Sequence, residues 1–165
     1  MAADGRPKIT DFGIAHVPEA VGGMGLTQVG FQPSTVLYSS PEQFRGEKLD
    51  ARSDVYQVGQ LLYLMLMGRP YIELQTIEKQ AQTLGHNIKE ELKLFMLLEK
   101  AICKDDPPGL DKLWQEAGGV TAVVEVALAK KREDRFNDTS EFASALNAIS
   151  AQMTQMPVKV NKIAM

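Results

Sequence analysis

The feature that most constrains the fold is the run of residues 53–68, which reads SDVYQVGQLLYLMLMG. Ser53 is predicted to cap the N-terminus of a helix, Asp54 to lie in its first turn and Gly68 to end it. Apolar side chains fall on every face of this helix, and a helix of that kind is one that other elements surround. We therefore expect the chain to fold around this helix.

Composition and charge narrow the class of protein. The 165 residues are 44% hydrophobic and 24% charged, which is typical of one globular domain. A formal net charge of −3 gives no reason to expect nucleic acid or an anionic membrane as partner. We interpret the basic cluster Lys130-Lys131-Arg132 as a solvated helix end. The strongest apolar stretch, residues 61–67, is too short to span a bilayer.

The cysteine content points to a reducing compartment. The single cysteine, Cys103, excludes an internal disulfide framework. Because it lies in an apolar helical pattern, we expect a buried and unreactive thiol. No signal peptide is visible in the polar N-terminal residues. A cytoplasmic location is the expectation that follows.

Outside the central helix the sequence predicts little β-structure. Asp4-Gly5 is a turn dipeptide, so residues 4–12 are expected to form a small hairpin, or a turn followed by a short strand. Residues 14–40 lack a sustained period and are predicted to form a long loop. Residues after about 153 have the character of a linker-like tail.

Two helical segments are predicted in the middle of the chain. Asn87 and Glu90 have the spacing of a capping box, which predicts a helix over about residues 88–104. A short helical piece at residues 110–116 carries Trp114, which we interpret as a core or groove filler rather than a binding residue. Together with the central helix, these segments indicate a mainly α protein.

Two more helices are predicted toward the C-terminus. The first follows the break at Gly118-Gly119 and has an amphipathic spacing. The last has Asp138 as its cap and Glu141 three residues on, as in a capping box. The apolar positions of the two helices are Val120, Val123, Val124, Ala127 and Leu128, and then Phe142, Ala145, Leu146 and Ile149.

Four segments occur in a fixed order: KITDFGIAH, STVLYSSPEQFRG, LDARSDVYQVGQLLYLMLMG and ALAKKREDRF. In this order they resemble the C-terminal lobe of a eukaryotic-like Ser/Thr protein kinase, most closely the bacterial members. The resemblance covers about residues 4–150, with a loose match at 72–117. It implies a mainly α C-lobe with a short β-hairpin or strand at the N-terminus and a long activation segment. The domain would be a partial kinase domain at residues 1–153, with the activation segment at 11–42 and a tail at 154–165.

The resemblance assigns a metal and cofactor role to Asp11-Phe12-Gly13. Asp11 would bind Mg²⁺, a hard cation that prefers carboxylate oxygen and bridges the phosphates of ATP. Phe12 would pack into the lobe, and Gly13 would let the backbone pivot. Without the later segments, the alternative is an aspartate at a strand end followed by an ordinary turn.

The resemblance also assigns roles within the activation segment. Thr35 matches a threonine near the substrate hydroxyl, and Ser34 stands where glycine is usual. Ser40 replaces the commoner alanine before Pro-Glu. Thr27 lies where such loops are often phosphorylated, and a phosphate there could order the loop against an arginine. The alternative for Thr27 is a solvated loop threonine.

Three charged residues are implied to hold the lobe together. Glu42 and Arg135 would form one ion pair that ties the activation segment to the helical base, a geometry that suits a planar guanidinium. Asp54 resembles the aspartate that braces the catalytic loop. The helix dipole alone also favours an aspartate at this position.

The parts of a kinase that precede the metal-binding aspartate in sequence order are not found in this sequence. These are the Gly-rich loop, the strand lysine with its helix glutamate, and the Asp and Asn of the His-Arg-Asp catalytic loop. Neither His16 nor His86 is followed by Arg-Asp, and VGGMGLTQVG lacks the third glycine of a Gly-rich loop. No catalytic residue is therefore assigned within the chain. Met1 is compatible with an internal methionine, a truncated gene or a cloning boundary.

Three hypotheses follow for function. The first is a Ser/Thr protein kinase by family, present as an incomplete fragment that is inactive alone. ATP and Mg²⁺ would be used by the full-length family and would not be bound productively by this fragment. The second is a non-catalytic scaffold or binding module for a protein substrate or a partner kinase. The third is an unrelated helical protein with coincidental motifs.

Overall fold

A computed structural model describes residues 36–84, 89–110 and 119–155. These residues form helices and turns without a strand, so the prediction of a mainly α fold is confirmed. The predicted hairpin or strand at residues 4–12, the helical piece around Trp114 and nearly all of the tail lie outside the described ranges.

Six α-helices make up the described part of the chain. None of them is long and apolar enough to cross a membrane. They are α1 (Pro41–Arg45), α2 (Ala51–Met67), α3 (Leu74–Thr83), α4 (Glu90–Cys103), α5 (Gly119–Ala127) and α6 (Thr139–Gln155), with a 3₁₀ turn at Arg132–Asp134 between the last two.

The central helix α2 begins earlier than predicted. Its N-cap is Asp50, whose carboxylate accepts a hydrogen bond from the Arg52 amide at 2.9 Å. Ser53 lies inside the helix and is buried, so its assignment as the cap is wrong. The end at Gly68 is confirmed, because this residue takes the left-handed conformation with φ 66°.

The described elements cover only one side of α2. Val55 and Tyr56 are fully buried, but Val58, Leu61 and Met65 are 40%, 54% and 73% exposed. The expectation that other elements surround the helix is therefore wrong for the described part of the chain. We call Val58, Leu61 and Met65 the exposed apolar stripe, since their spacing places them on one helical face.

The buried side chains form two groups on the covered side of α2. The first group lies mainly between α2 and α4 and also includes side chains of α1, α3, α5 and the turn before α3. The second lies between α2, α5 and α6. The first contains Phe44, Tyr56, Tyr63, Tyr71, Ile72, Ile77, Leu98, Ile102, Cys103, Leu110, Val124 and Leu128; the second contains Val55, Val123, Ala127 and Phe142. The predicted burial of Cys103 is confirmed, and burial raises the pKa of its thiol.

Helices α2 and α5 approach closely at Gly59. A Cβ atom at this position would lie 2.8 Å from the Cβ of Ala127. The Ala127 methyl is fixed to its own backbone and cannot rotate away. The Gly59→Ala variant is therefore expected to unfold with about 1–3 kcal/mol less free energy, although alanine favours helix.

Urea unfolding of Gly59→Ala measures this effect. Gly119→Ala is the matched control, because a Cβ there would meet only the Ile149 side chain, at 3.3 Å, and that side chain can change rotamer. The control is expected to lose less stability than Gly59→Ala. A Gly59→Ala protein as stable as wild type would show that the helices can separate without cost.

The other helices agree with the sequence in part. Asp138 caps α6 as predicted, accepting from the Ser140 and Glu141 amides at 2.8 and 2.9 Å. The Glu141 carboxylate accepts from the Asn137 amide at 2.7 Å instead of closing a capping box on Asp138. Helix α3 was not predicted individually, and of the box predicted for α4, Asn87 lies outside the described residues.

The interpretation of Lys130-Lys131-Arg132 as a solvated helix end is wrong. Helix α5 ends at Ala127, so the cluster lies beyond it. Arg132 contacts the segment after α1, donating to the Lys48 carbonyl at 2.6 Å and to the Glu47 carboxylate at 2.7 Å. These tertiary partners are far away in sequence, which is why the local pattern does not reveal them.

Candidate functional site

The site begins where residues 36–40 turn into α1. Ser40 is fully buried and is the N-cap of α1. Its hydroxyl accepts from the Gln43 amide at 3.4 Å, and the Gln43 side chain accepts from the Ser40 amide at 2.8 Å. Pro41 occupies the first helical position, where a missing N–H costs nothing. This capping box places Glu42 in the first turn of α1, facing the protein interior.

Glu42 and Arg135 meet in the interior as a bidentate ion pair, which we call the anchor pair. Arg135 Nη1 lies 2.7 Å from Glu42 Oε1, and Nη2 lies 2.9 Å from Oε2. Both residues are buried, at 2% and 5% exposure. The partners are 93 residues apart in sequence. The structure thus brings together the two residues that the sequence resemblance paired.

Arg135 uses every N–H of its guanidinium. Besides the two bonds to Glu42, Nε donates to the Ala129 carbonyl at 2.7 Å. Nη1 donates to Arg52 O at 3.1 Å and Nη2 to Lys130 O at 3.2 Å. A guanidinium has five donors, so none remains for another ligand. The anchor pair therefore connects α1, the start of α2 and the turn after α5.

Ser53 completes the surroundings of Glu42. Its hydroxyl donates to Glu42 Oε1 at 2.7 Å. Burial acts to raise the pKa of Glu42, but the hydrogen bonds from Arg135 and Ser53 outweigh it and lower the pKa to about 2. Glu42 is therefore ionised at neutral pH. Sequence reasoning assigned Ser53 to the helix cap and missed this contact, because the partner comes from another element.

The ring of Tyr56 lies against the same guanidinium. The Arg135 Cζ atom is 4.7 Å from the ring centroid, within cation–π range. Tyr56 is fully buried, and burial raises the pKa of its hydroxyl. An aromatic residue in an apolar helix gives no sequence signal for such a contact.

Lys130 holds the C-terminal end of α4. Its ammonium donates to Ile102 O at 3.0 Å and Ala101 O at 3.5 Å, and it also contacts the hydroxyls of Tyr56 and Tyr71. Carbonyls in the last turn of a helix lack partners within the helix, so a cation there is favourable. Burial lowers the pKa of Lys130 to about 8. This residue is a half-buried structural cation.

Asp54 lies exposed in the first turn of α2. Its side chain makes no hydrogen bond or ion pair to another residue of the described ranges. Its position is on the side of α2 that carries the exposed apolar stripe, four residues before Val58. Asp54 therefore does not join the anchor pair, although the sequence resemblance grouped the three residues.

The remaining predicted site residues fall outside the described ranges. These are Asp11, Phe12, Gly13, Thr27, Ser34 and Thr35. Among the described residues, no group of three or more His, Cys, Asp or Glu side chains could hold a metal ion. The sequence resemblance assigns magnesium binding to Asp11, which lies outside the described residues.

Comparisons with known proteins agree with the four sequence segments. Residues 1–148 match the family model described as protein kinase domain. The chain is 32% identical over 151 residues to the probable serine/threonine-protein kinase PknB of Corynebacterium glutamicum, an alignment that covers 88% of this chain and 20% of that protein. It is 32% identical over 146 residues to the serine/threonine-protein kinase PknB of Mycobacterium tuberculosis, with the same coverage of 88% and 20%.

A shorter alignment has a higher sequence identity. The chain is 48% identical over 62 residues to the serine/threonine-protein kinase pkn3 of Myxococcus xanthus, covering 37% of this chain and 11% of that protein. Against the two PknB proteins, the chain spans 20% of the relative's length.

Proposed function

Since the chain belongs to the protein kinase family, we propose that it forms the helical, substrate-side lobe of a Ser/Thr protein kinase. The reaction would be the transfer of phosphate from ATP to serine or threonine of a protein substrate. The domain would occupy residues 1–153 and the tail residues 154–165. We place this reaction in the cytoplasm, where ATP is available and the unpaired Cys103 would stay reduced.

The anchor pair is the observation that carries this proposal. In a phosphotransfer site the protein mainly positions groups and stabilises charge. Glu42 and Arg135 fix the end of residues 36–40 against the helical base. Residues 34–35 come directly before residues 36–40 in sequence, so we expect the anchor pair to restrict the position of Thr35 relative to a substrate hydroxyl.

The family uses ATP and Mg²⁺, and Asp11 is our candidate for the magnesium ligand. A carboxylate oxygen is the ligand type that Mg²⁺ prefers, and the ion would neutralise charge on the phosphates when bound. Phe12 and Gly13 would set the position of that aspartate. A phosphate on Thr27 would order the loop that precedes the anchor pair. Asp54 would brace the backbone of a catalytic loop beside α2.

A chimeric kinase tests the proposed function. It joins the ATP-binding lobe and catalytic loop of the Mycobacterium tuberculosis PknB to residues 4–165 of this chain. We expect the chimera to phosphorylate a protein substrate on Ser or Thr in the presence of ATP and Mg²⁺. The Asp11→Asn variant should lose that activity, whereas Glu125→Gln, on an exposed part of α5, should keep it.

The 165-residue chain is the second sample in that experiment. It lacks the His-Arg-Asp motif in its sequence, so its activity is expected to stay at background. A folded chimera without activity would contradict the kinase-lobe proposal. Robust activity of the 165-residue chain alone would contradict the expectation that phosphate transfer requires the ATP-binding lobe and the catalytic loop.

The exposed apolar stripe favours a second candidate, a non-catalytic binding module. Val58, Leu61 and Met65 present contiguous apolar side chains, and such patches mark interaction sites. The partner would be a kinase polypeptide that covers this face. Replacing Leu61 and Met65 by serine should weaken capture of that partner in a pull-down. A chain that stays monomeric and captures no kinase would remove this candidate.

A further inference from the structure

A row of polar side chains runs along α2 on the side that faces residues 37–43. Its members are Ser53, Gln57 and Gln60, and we call them the polar stripe. Their spacing of four and then three residues places them on one helical face. This face is distinct from the exposed apolar stripe. The sequence interpretation of α2 as apolar on every face overlooked it.

Each member of the polar stripe contacts the segment that enters or forms α1. Ser53 donates to Glu42, as described above. Gln57 Nε2 donates to Gln43 Oε1 at 3.2 Å, the same oxygen that accepts from the Ser40 amide. Gln60 Nε2 donates to the Leu37 carbonyl at 3.3 Å. The stripe therefore holds the segment at both ends of the turn into α1.

Gln60 is a buried side chain with one polar atom that lacks a hydrogen-bond partner among the described residues. It is 3% exposed, and among the described residues its Oε1 atom has no hydrogen-bond partner. Rotating the amide by half a turn would place Oε1 against the Leu37 carbonyl, which is repulsive, so the contact itself fixes the orientation. An apolar side chain of similar length would fill the same space without an unpaired buried acceptor. The bond to Leu37 is the contact that only the glutamine provides.

We propose that Gln60 is a positioning residue that fixes the backbone of residues 36–39 through the Leu37 carbonyl. It acts separately from the anchor pair, which fixes the segment five residues further on. Val36 and Leu37 follow Thr35 directly, so Gln60 would set the direction in which the chain leaves the substrate-contacting residues. That last consequence rests on the proposed function, whereas the positioning of residues 36–39 does not.

Hydrogen exchange of the 165-residue chain tests the proposal without any phosphate transfer. The Ser39 amide donates to Val36 O at 3.0 Å and the Ser40 amide to Gln43 Oε1, so both report opening of this turn. In Gln60→Met, which keeps the length and removes the donor, the exchange of both amides should be about five- to tenfold faster. The Leu128 amide, bonded to Val124 O in the core, should exchange as in wild type or more slowly.

Two further variants define the outcomes. Gln82→Met changes an exposed glutamine of α3 and should leave Ser39 and Ser40 unaltered. Gln60→Asn keeps the amide but is too short to reach Leu37, so it should accelerate exchange at Ser39 and Ser40 as Gln60→Met does. If Gln60→Met fails to fold, Gln60→Asn serves in its place. Unchanged exchange at Ser39 and Ser40 would overturn the proposal, as would an equal acceleration of all amides. Neither result bears on the chimera experiment. An inactive chimera, in turn, would not contradict the positioning of residues 36–39 by Gln60.

Discussion

Replacing Arg135 by methionine is expected to lower the free energy of unfolding by about 3–5 kcal/mol, because it leaves a buried carboxylate without its cation. The substitution also removes the donors to the carbonyls of Ala129, Lys130 and Arg52. Urea unfolding followed by circular dichroism measures the change. Glu42→Gln should cost less than Arg135→Met, since it leaves those three carbonyls satisfied.

Two comparison variants separate the anchor pair from an ordinary charge contact. Arg135→Lys keeps the charge but cannot donate five bonds in a plane, so it should be destabilised as well. Arg69→Met breaks the surface pair with Glu73, whose side chains are 51% and 39% exposed, and should cost less than about 1 kcal/mol. If Arg135→Met cost no more than Arg69→Met, the anchor pair would not hold the fold together.

Acid is expected to weaken the protein through Glu42. The folded-state pKa is about 2, below the ordinary value of 4.5, so the unfolded chain takes up this proton first as pH falls. The stabilisation is complete above about pH 4.5 and is lost as pH falls toward 2. A pKa lowered by this amount corresponds to about 3 kcal/mol at neutral pH.

Comparing wild type with Glu42→Gln isolates this contribution from the other carboxyl groups. The difference in unfolding free energy between the two proteins should be constant from pH 7 to about 5 and should shrink between pH 4.5 and 2. Chemical denaturation at a series of pH values gives the curve. A difference that stays constant through this range would show that Glu42 does not titrate as its surroundings require.

Local sequence pattern predicted where helices end better than it predicted the tertiary contacts of their side chains. The αL end of α2 at Gly68 and the Asp138 cap of α6 were both predictable, because a few adjacent residues determine each. Asp50 rather than Ser53 caps α2, since the Ser53 hydroxyl is engaged by Glu42. Competition of this kind depends on a tertiary partner, which local pattern does not contain.

In the candidate site, too, the contacts between residues distant in sequence could not be predicted from local pattern. No periodicity connects Glu42 with Arg135 across 93 residues, and only the resemblance to a known family suggested that they meet. Neither source indicated that Lys130 is enclosed by two tyrosines, or that Gln60 reaches the Leu37 carbonyl. The Ser40–Gln43 capping box follows the local pattern Ser-x-x-Gln, so the sequence alone is sufficient to predict it.

The most direct test of the central claim is a double-mutant cycle on the anchor pair. Unfolding free energies are measured for wild type, Glu42→Gln, Arg135→Met and the double variant. If Glu42 and Arg135 hold residues 36–40 to the helical base as one unit, the coupling energy should reach about 2 kcal/mol or more. Additive losses, with a coupling energy within about 0.5 kcal/mol of zero, would contradict the claim.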